Sequence, residues 1–205
     1  MNRKKTFLME HARTLAIALP IALLLRVSVV EAYRIPSGSM EDTILVGDRL
    51  LADKLVYGAR VPFIGYRFPA LHDPLPGEVI IFESPREPGV RFIKRCIAVG
   101  GQTVMIRGKR VYVDGVLVAL PDHGKIDPRH PSSGMDSFGP EVVPAGYLFV
   151  LGDNRDNSTD SRSWGYLSRD SVFGKALVVY WSWSPDTTQG FWRRIRWDRI
   201  GERIL

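Results

Sequence analysis

One cysteine in 205 residues leaves no internal disulfide, so packing and hydrogen bonds must hold this chain together. Cys96 itself reads as a small buried apolar residue. Histidine is scarce too. The four present are joined by no HExxH, CxxC or ordered His/carboxylate spacing, which leaves a zinc site without ligands. His123 and His130 fall in a polar loop and read as solvated. A Gly-x-Ser-x-Gly elbow is missing, so an α/β-hydrolase triad lacks its usual anchor. A hydroxyl nucleophile in this chain would need a base other than histidine. The net charge of +6 is accompanied by no helix-turn-helix, zinc-finger or RNP-type pattern, and no nucleic-acid partner is expected. No internal repeat is visible.

What is present is enough apolar residue, 45%, for one sizeable core or two small ones. Nineteen glycines and fourteen prolines are spread along the chain, which suits a β protein with many turns. The stretch RFIKRCIAVGGQTVMIRGKRVYVDGVLVAL sets β-branched runs between turn pairs at Gly100-Gly101, Gly108-Lys109 and Asp114-Gly115, the pattern of an antiparallel meander. Further strands are predicted at Pro76 to Phe82, Gly146 to Gly152 and Gly174 to Trp183. A polar loop of about twenty residues separates the meander from the second of these, long by ordinary loop statistics.

The one long apolar run lies near the amino terminus, from Leu15 to Leu25 and on, broken by Arg26, to Val30. About seventeen helical residues span roughly 25 Å, slightly short of a hydrocarbon core of about 30 Å. Arg26 can snorkel, and Pro20 is tolerated in membrane helices. A cleaved signal peptide would need a small-x-small site after the run, and none is clear; a surface helix would need a polar face. A spanning anchor at 14–31 is expected, with Arg3, Lys4, Lys5 and Arg13 holding residues 1–13 in the cytoplasm and the rest outside. At the other end Trp181, Trp183, Trp192 and Trp197 alternate with Arg193, Arg194, Arg196 and Arg199. That mixture suits a lipid headgroup interface, or a core strand followed by a solvated basic terminus.

Two stretches carry candidate chemistry. In RFIKRCIAV, alternation puts Phe92, Lys94, Cys96 and Ala98 on one face, so Lys94 shares a side with apolar residues. Burial would favour its neutral amine, able to take a proton from a serine; a lysine snorkelling at a sheet edge is the alternative. In IPSGSM, Pro-Ser-Gly-Ser is ordinary turn chemistry that also exposes Ser39, with its own N–H and the Ser37 hydroxyl available to an oxyanion. A third stretch, GDNRDNSTDSRSWG, looks superficially like a calcium loop. Counting from Asp153, however, it has Arg155 at position three and Ser158 where the turn glycine belongs. Its short polar side chains fit a braced loop in which Asp160 and Arg162 pair.

Taken in order, IPSGSM, GDRLLADKLVYG, PGEVIIF, RFIKR, GDNRDNSTDSRSWG and IRWDRIG closely resemble bacterial type I signal peptidase, across nearly all of Ile35 to Gly201. The resemblance implies a mostly β, antiparallel catalytic domain with an inserted β-meander, preceded by one N-terminal transmembrane helix. Its core falls into 32–102 and 141–205, with an inserted hairpin and loop region at 103–140. It also implies a Ser/Lys-dyad endopeptidase that removes signal peptides from exported preproteins after small-x-small sites. The site would face outward from the cytoplasmic membrane, near the export translocon, and need no metal or organic cofactor. By motif match Ser39 is the nucleophile and Lys94 the base. Ser37 and Ser39 hold the oxyanion, Ser158 orients the lysine, and Asp153, Asp160 and Arg162 are structural. Ile35, Met40, Ile44 and Ile93 would line the substrate pockets. Glu41-Asp42 departs from the family, many members of which have a proline two residues before the motif's threonine. A conjugation-type maturation peptidase would share the dyad. A self-cleaving repressor would need a DNA-binding domain for which there is no room, and a membrane-anchored binding domain would need neither Ser39 nor Lys94.

Overall fold

In the computed structural model, residues 11–19, 29–58, 68–126 and 135–205 are described. Residues 11–19 are helical. The expected anchor continues through 20–28, outside the described residues. Among the described residues no helix is long and apolar enough to cross a membrane. The anchor's expected last two residues, Val30 and Glu31, instead begin strand β1, Val30–Arg34.

Ten more strands follow: β2 (Asp48–Asp53), β3 (Val79–Glu83), β4 (Arg91–Val99), β5 (Thr103–Arg107), β6 (Arg110–Val113), β7 (Val116–Leu117), β8 (Phe138–Val142), β9 (Tyr147–Leu151), β10 (Leu167–Ser168) and β11 (Val172–Ser182). They form a seven-stranded sheet, β1-β2-β11-β3-β4-β9-β10, and a four-stranded sheet, β7-β6-β5-β8. Every strand pair is antiparallel. The chain leaves the large sheet after β4, builds the small one, and returns through β9. The meander turns do what their composition predicts: Gly108, Lys109, Asp114 and Gly115 all have positive φ, as two-residue hairpin turns require.

The large sheet is covered on both faces, which explains why β3 is apolar without alternation. Val79 and Ile81 pack with Leu50, Ile93 and Val179 on one side; Ile80 and Phe82 pack with Tyr57, Val150 and Leu167 on the other. Each such side chain, fully removed from water, contributes about 1.5–3 kcal/mol. A third cluster joins the sheets through Ile97, Ala98, Val104, Val111, Phe149 and Leu151.

That last cluster corrects the predicted alternation of β4. The register shifts between Cys96 and Ala98, so Cys96 stays in the cluster with Phe92 while Ala98 turns into the inter-sheet core. A bulge re-aims the residues beyond it, which strict alternation does not foresee.

Candidate active site

Because β9 ends at Leu151, opposite Arg95, the edge of β4 from Arg91 to Lys94 has β3 on one side and no strand on the other. That open edge forms one wall of a cleft of about 580 Å3, shared with residues 33–39 and 157–159.

Ser39 enters from the segment after β1. Ile35 is still hydrogen-bonded to Asp48 and Gly47. Gly47 sits at φ +94°, and a Cβ there would lie 2.0 Å from the Trp183 carbonyl oxygen, so this close approach requires glycine. From Pro36 the chain swings out, then turns tightly, with Glu41 N–H donating to Gly38 O and Ile44 N–H to Met40 O. The turn is pinned from behind: Asn154 donates its N–H to the Ser39 carbonyl and its Nδ2 to the Gly38 carbonyl, both at 3.1 Å. Among the described residues the Ser39 N–H donates no hydrogen bond.

Lys94, 4% exposed, donates from Nζ to Ser39 Oγ. It makes no ion pair among the described residues. Burial is the main force on its amine, pushing the pKa down to about 8; Asp160 and Asp153 pull it back and Arg162 pushes it further down. Both carboxylates are already held. Asp153 takes a bidentate contact from Arg95 at 2.8 and 2.6 Å plus the Thr43 hydroxyl at 2.7 Å. Asp160 takes Arg162 at 2.8 Å twice and the Gly152 N–H. The paired Asp160 and Arg162 are where the sequence puts them. Arg95, Thr43 and Asn154 were not singled out in the sequence, although Arg95 stands beside Lys94 in RFIKR.

Ser37 and Ser158 line the same cleft. Ser37 is exposed. The Ser158 hydroxyl is buried and has no hydrogen-bond partner among the described residues, so it stands in the cleft wall without a hydrogen bond to the lysine amine. Gly152 makes room for it: a Cβ at Gly152 would lie 2.3 Å from Ser158 Oγ and 2.4 Å from the Ser39 carbonyl oxygen. Of the four expected pocket residues, Ile35 and Ile93 line the cleft together with Ile81. Met40 and Ile44 are fully buried in the core beneath it. Met40 accepts the Asp153 N–H on Sδ, at 3.4 Å, and so braces the turn instead of lining the cleft.

A third buried carboxylate organises the tail. Asp48 is held by Arg199 at 2.8 Å and by Ser182 at 2.6 Å, with Arg196 at 3.7 Å, and Arg199 also donates to the Thr43 carbonyl. Arg199 is therefore internal and unavailable to headgroups, a correction to the expected basic face. Trp181 meets Trp197, Phe191 bridges Trp183 and Trp192, and Phe191, Trp192 and Trp197 remain more than 60% exposed.

A family model described as Signal peptidase, peptidase S26 matches residues 8–181. Signal peptidase I of Pseudomonas aeruginosa is 35% identical over 89% of this chain and 75% of its own. Signal peptidase I of Leptolyngbya laminosa is 37% identical over 85% and 80% respectively. A crystal structure of a signal peptidase I from Enterococcus faecalis is 32% identical, covering 52% of this chain and 98% of that one, with a TM-score of 0.42.

Proposed function

The chain belongs to the signal peptidase family, peptidase S26, a family of serine endopeptidases, and we propose that it cleaves signal peptides from exported preproteins after small-x-small sites with Ser39 as nucleophile and Lys94 as general base. The observation that carries the reading is the buried Lys94 amine, without an ion pair among the described residues and hydrogen-bonded to the Ser39 hydroxyl in an open cleft.

The substrate enters as an extended segment along the free edge of β4, whose unpaired backbone groups offer the hydrogen bonds of one more strand. Ile35, Ile81 and Ile93 give the cleft a shallow apolar floor suited to small side chains. With a pKa of about 8, roughly a tenth of Lys94 is neutral at pH 7. The neutral amine accepts the Ser39 proton, Ser39 Oγ attacks the scissile carbonyl, and the oxyanion is met by the Ser39 N–H and Ser37. The lysine then gives its proton to the departing amine, and a water deprotonated by Lys94 hydrolyses the acyl-enzyme. Ser158 steadies the amine once it moves off Ser39.

The apolar run that precedes β1 anchors the chain in the cytoplasmic membrane, with the catalytic domain on the outer side near the translocon. Exposed Phe191, Trp192 and Trp197 next to Arg193 rest at the lipid headgroups.

The test is cleavage of a purified preprotein by the detergent-solubilised protein and its Ser39→Ala variant, with sequencing of the product's amino terminus. One cut after the small-x-small site, lost in the variant, is the expected result. A cut that persists at a comparable rate in Ser39→Ala overturns the dyad.

A further inference from the structure

A second cavity, of about 620 Å3, shares no residue with the catalytic cleft. Its walls are largely apolar, with Ile97, Val113, Val118 and Leu120 among them, and three charged residues, Arg95, Arg155 and Asp122, line it together with Leu205, the last residue of the sequence. That size lies within the range of small-molecule sites, about 300–1,000 Å3.

The two arginines differ. Every branch of the Arg95 guanidinium is used, on Asp153, on the Gly77 carbonyl and on a main-chain oxygen of Leu205. Arg155 is only 5% exposed, its Nε–H is buried with no acceptor, and among the described residues its guanidinium makes no hydrogen bond or ion pair. Asp153 and Asp160 attract it through space, but Arg95 and Arg162 already grip both. Burial lowers the Arg155 pKa only to about 10, so the group stays cationic at neutral pH. A buried cation without a counterion is costly, and this one cannot escape by shedding its proton.

We propose that this cavity binds a monocarboxylate carrying an apolar chain, the carboxylate on Arg155 and the chain against Ile97, Val113, Val118 and Leu120. A guanidinium fork matches a carboxylate with two parallel hydrogen bonds. One free arginine, with the exposed carboxylate of Asp122 in the same lining, disfavours a dianion such as a phosphate monoester. Two sources supply this chemistry: a free fatty acid, and the carboxy terminus of a short apolar peptide.

The experiment is thermal unfolding of the full chain in detergent, at constant ionic strength, with hexanoate or acetyl-Leu-Ala as probe. Hexanol and acetyl-Leu-Ala amide serve as uncharged controls. Saturating probe is expected to raise the midpoint by about 5 °C. A shift with both carboxylates, or with one alone, supports the site, and the difference names the source. No shift with either carboxylate, or an equal shift with the uncharged controls, overturns it. Arg155→Gln is expected to abolish the shift without lowering the midpoint of the probe-free protein; an undiminished shift in this variant overturns the proposal. If Arg155→Gln does not fold, Val116→Glu takes its place. Val116 lines the cavity and is 69% exposed, so a carboxylate there leaves Arg155 in place and opposes the probe. Apparent affinity is expected to fall at least tenfold, and unchanged affinity overturns the site.

Discussion

The cleft and the second cavity hold the same difficulty, a buried cation with no carboxylate of its own, and resolve it differently. Lys94 can lose a proton, and burial brings that loss to about pH 8, within reach of neutral solution. Arg155 under similar burial falls only to about 10 and stays charged. On the two proposals above, a buried amine left without a counterion serves as a base, whereas a buried guanidinium left without one serves as a receptor for an anion. The neighbouring Asp153–Arg95 and Asp160–Arg162 pairs make both outcomes possible, because each takes a carboxylate out of circulation.

The sharpest way to break this contrast is Lys94→Arg, which puts a permanent cation in place of the proposed base. Hydrolysis is expected to fall by at least about 10³-fold at every pH, given the usual 10²–10⁴-fold worth of a general base and the added loss of serine activation. Preprotein cleavage followed from pH 6 to pH 10 checks it, and recovery at high pH would contradict it. Next comes Arg95→Met, which strips the partner from buried Asp153. Urea unfolding is expected to show a loss of about 3–5 kcal/mol, against little or none for Arg155→Gln. Gly152→Ala forces a methyl group into Ser158 and the Ser39 carbonyl, and kcat is expected to drop about 10²-fold with the fold retained by circular dichroism.

A subtler expectation concerns pH. As the proposed base Lys94 acts in its neutral form, so the rate should rise about tenfold per unit up to about pH 8 and level off above it. The unfolded chain keeps this proton up to about 10.5, so between about 8 and 10.5 it binds more protons than the folded one. By linkage this group makes stability increase with pH across that window and leaves it flat below. Lys94→Met should lose this contribution, so the urea midpoint of the native chain should gain on that of the variant from pH 7.5 to pH 10; taking the difference cancels the opposing pull of the buried Cys96 thiol, which is pushed up to about 12.

Turns and motifs were the legible parts of the sequence. The meander announced itself because Gly108-Lys109 and Asp114-Gly115 need positive φ, a local demand that composition records. Strand β3 could be read from VIIF because both of its faces are buried. Strands β1 and β2 were harder: VEAYR and DRLLAD are short and mixed, and become strands through pairing with each other and with β11. The shift of Ala98 comes from a bulge that depends on β9, a partner about fifty residues away in sequence. Ser39 and Lys94 were legible as residue types in motifs. The roles of Arg95 and Arg199 were not, since a buried arginine and a solvated one look alike until the carboxylates they hold, Asp153 and Asp48, are placed in space. Met40 and Ile44 show the same limit, being apolar residues whose side of the cleft floor only packing decides.

On the proposed substrate path along β4, the early end of β9 also sets how much of a polypeptide this protein can inspect. Only Arg91 to Lys94 is left open, a gap four residues long, closed at one end by Leu151 across from Arg95. A reading frame that short samples a handful of side chains and is blind to the rest. Chains that differ in length, charge and fold elsewhere therefore present the same few residues and are handled alike, and changing the breadth of that tolerance requires moving the end of one strand.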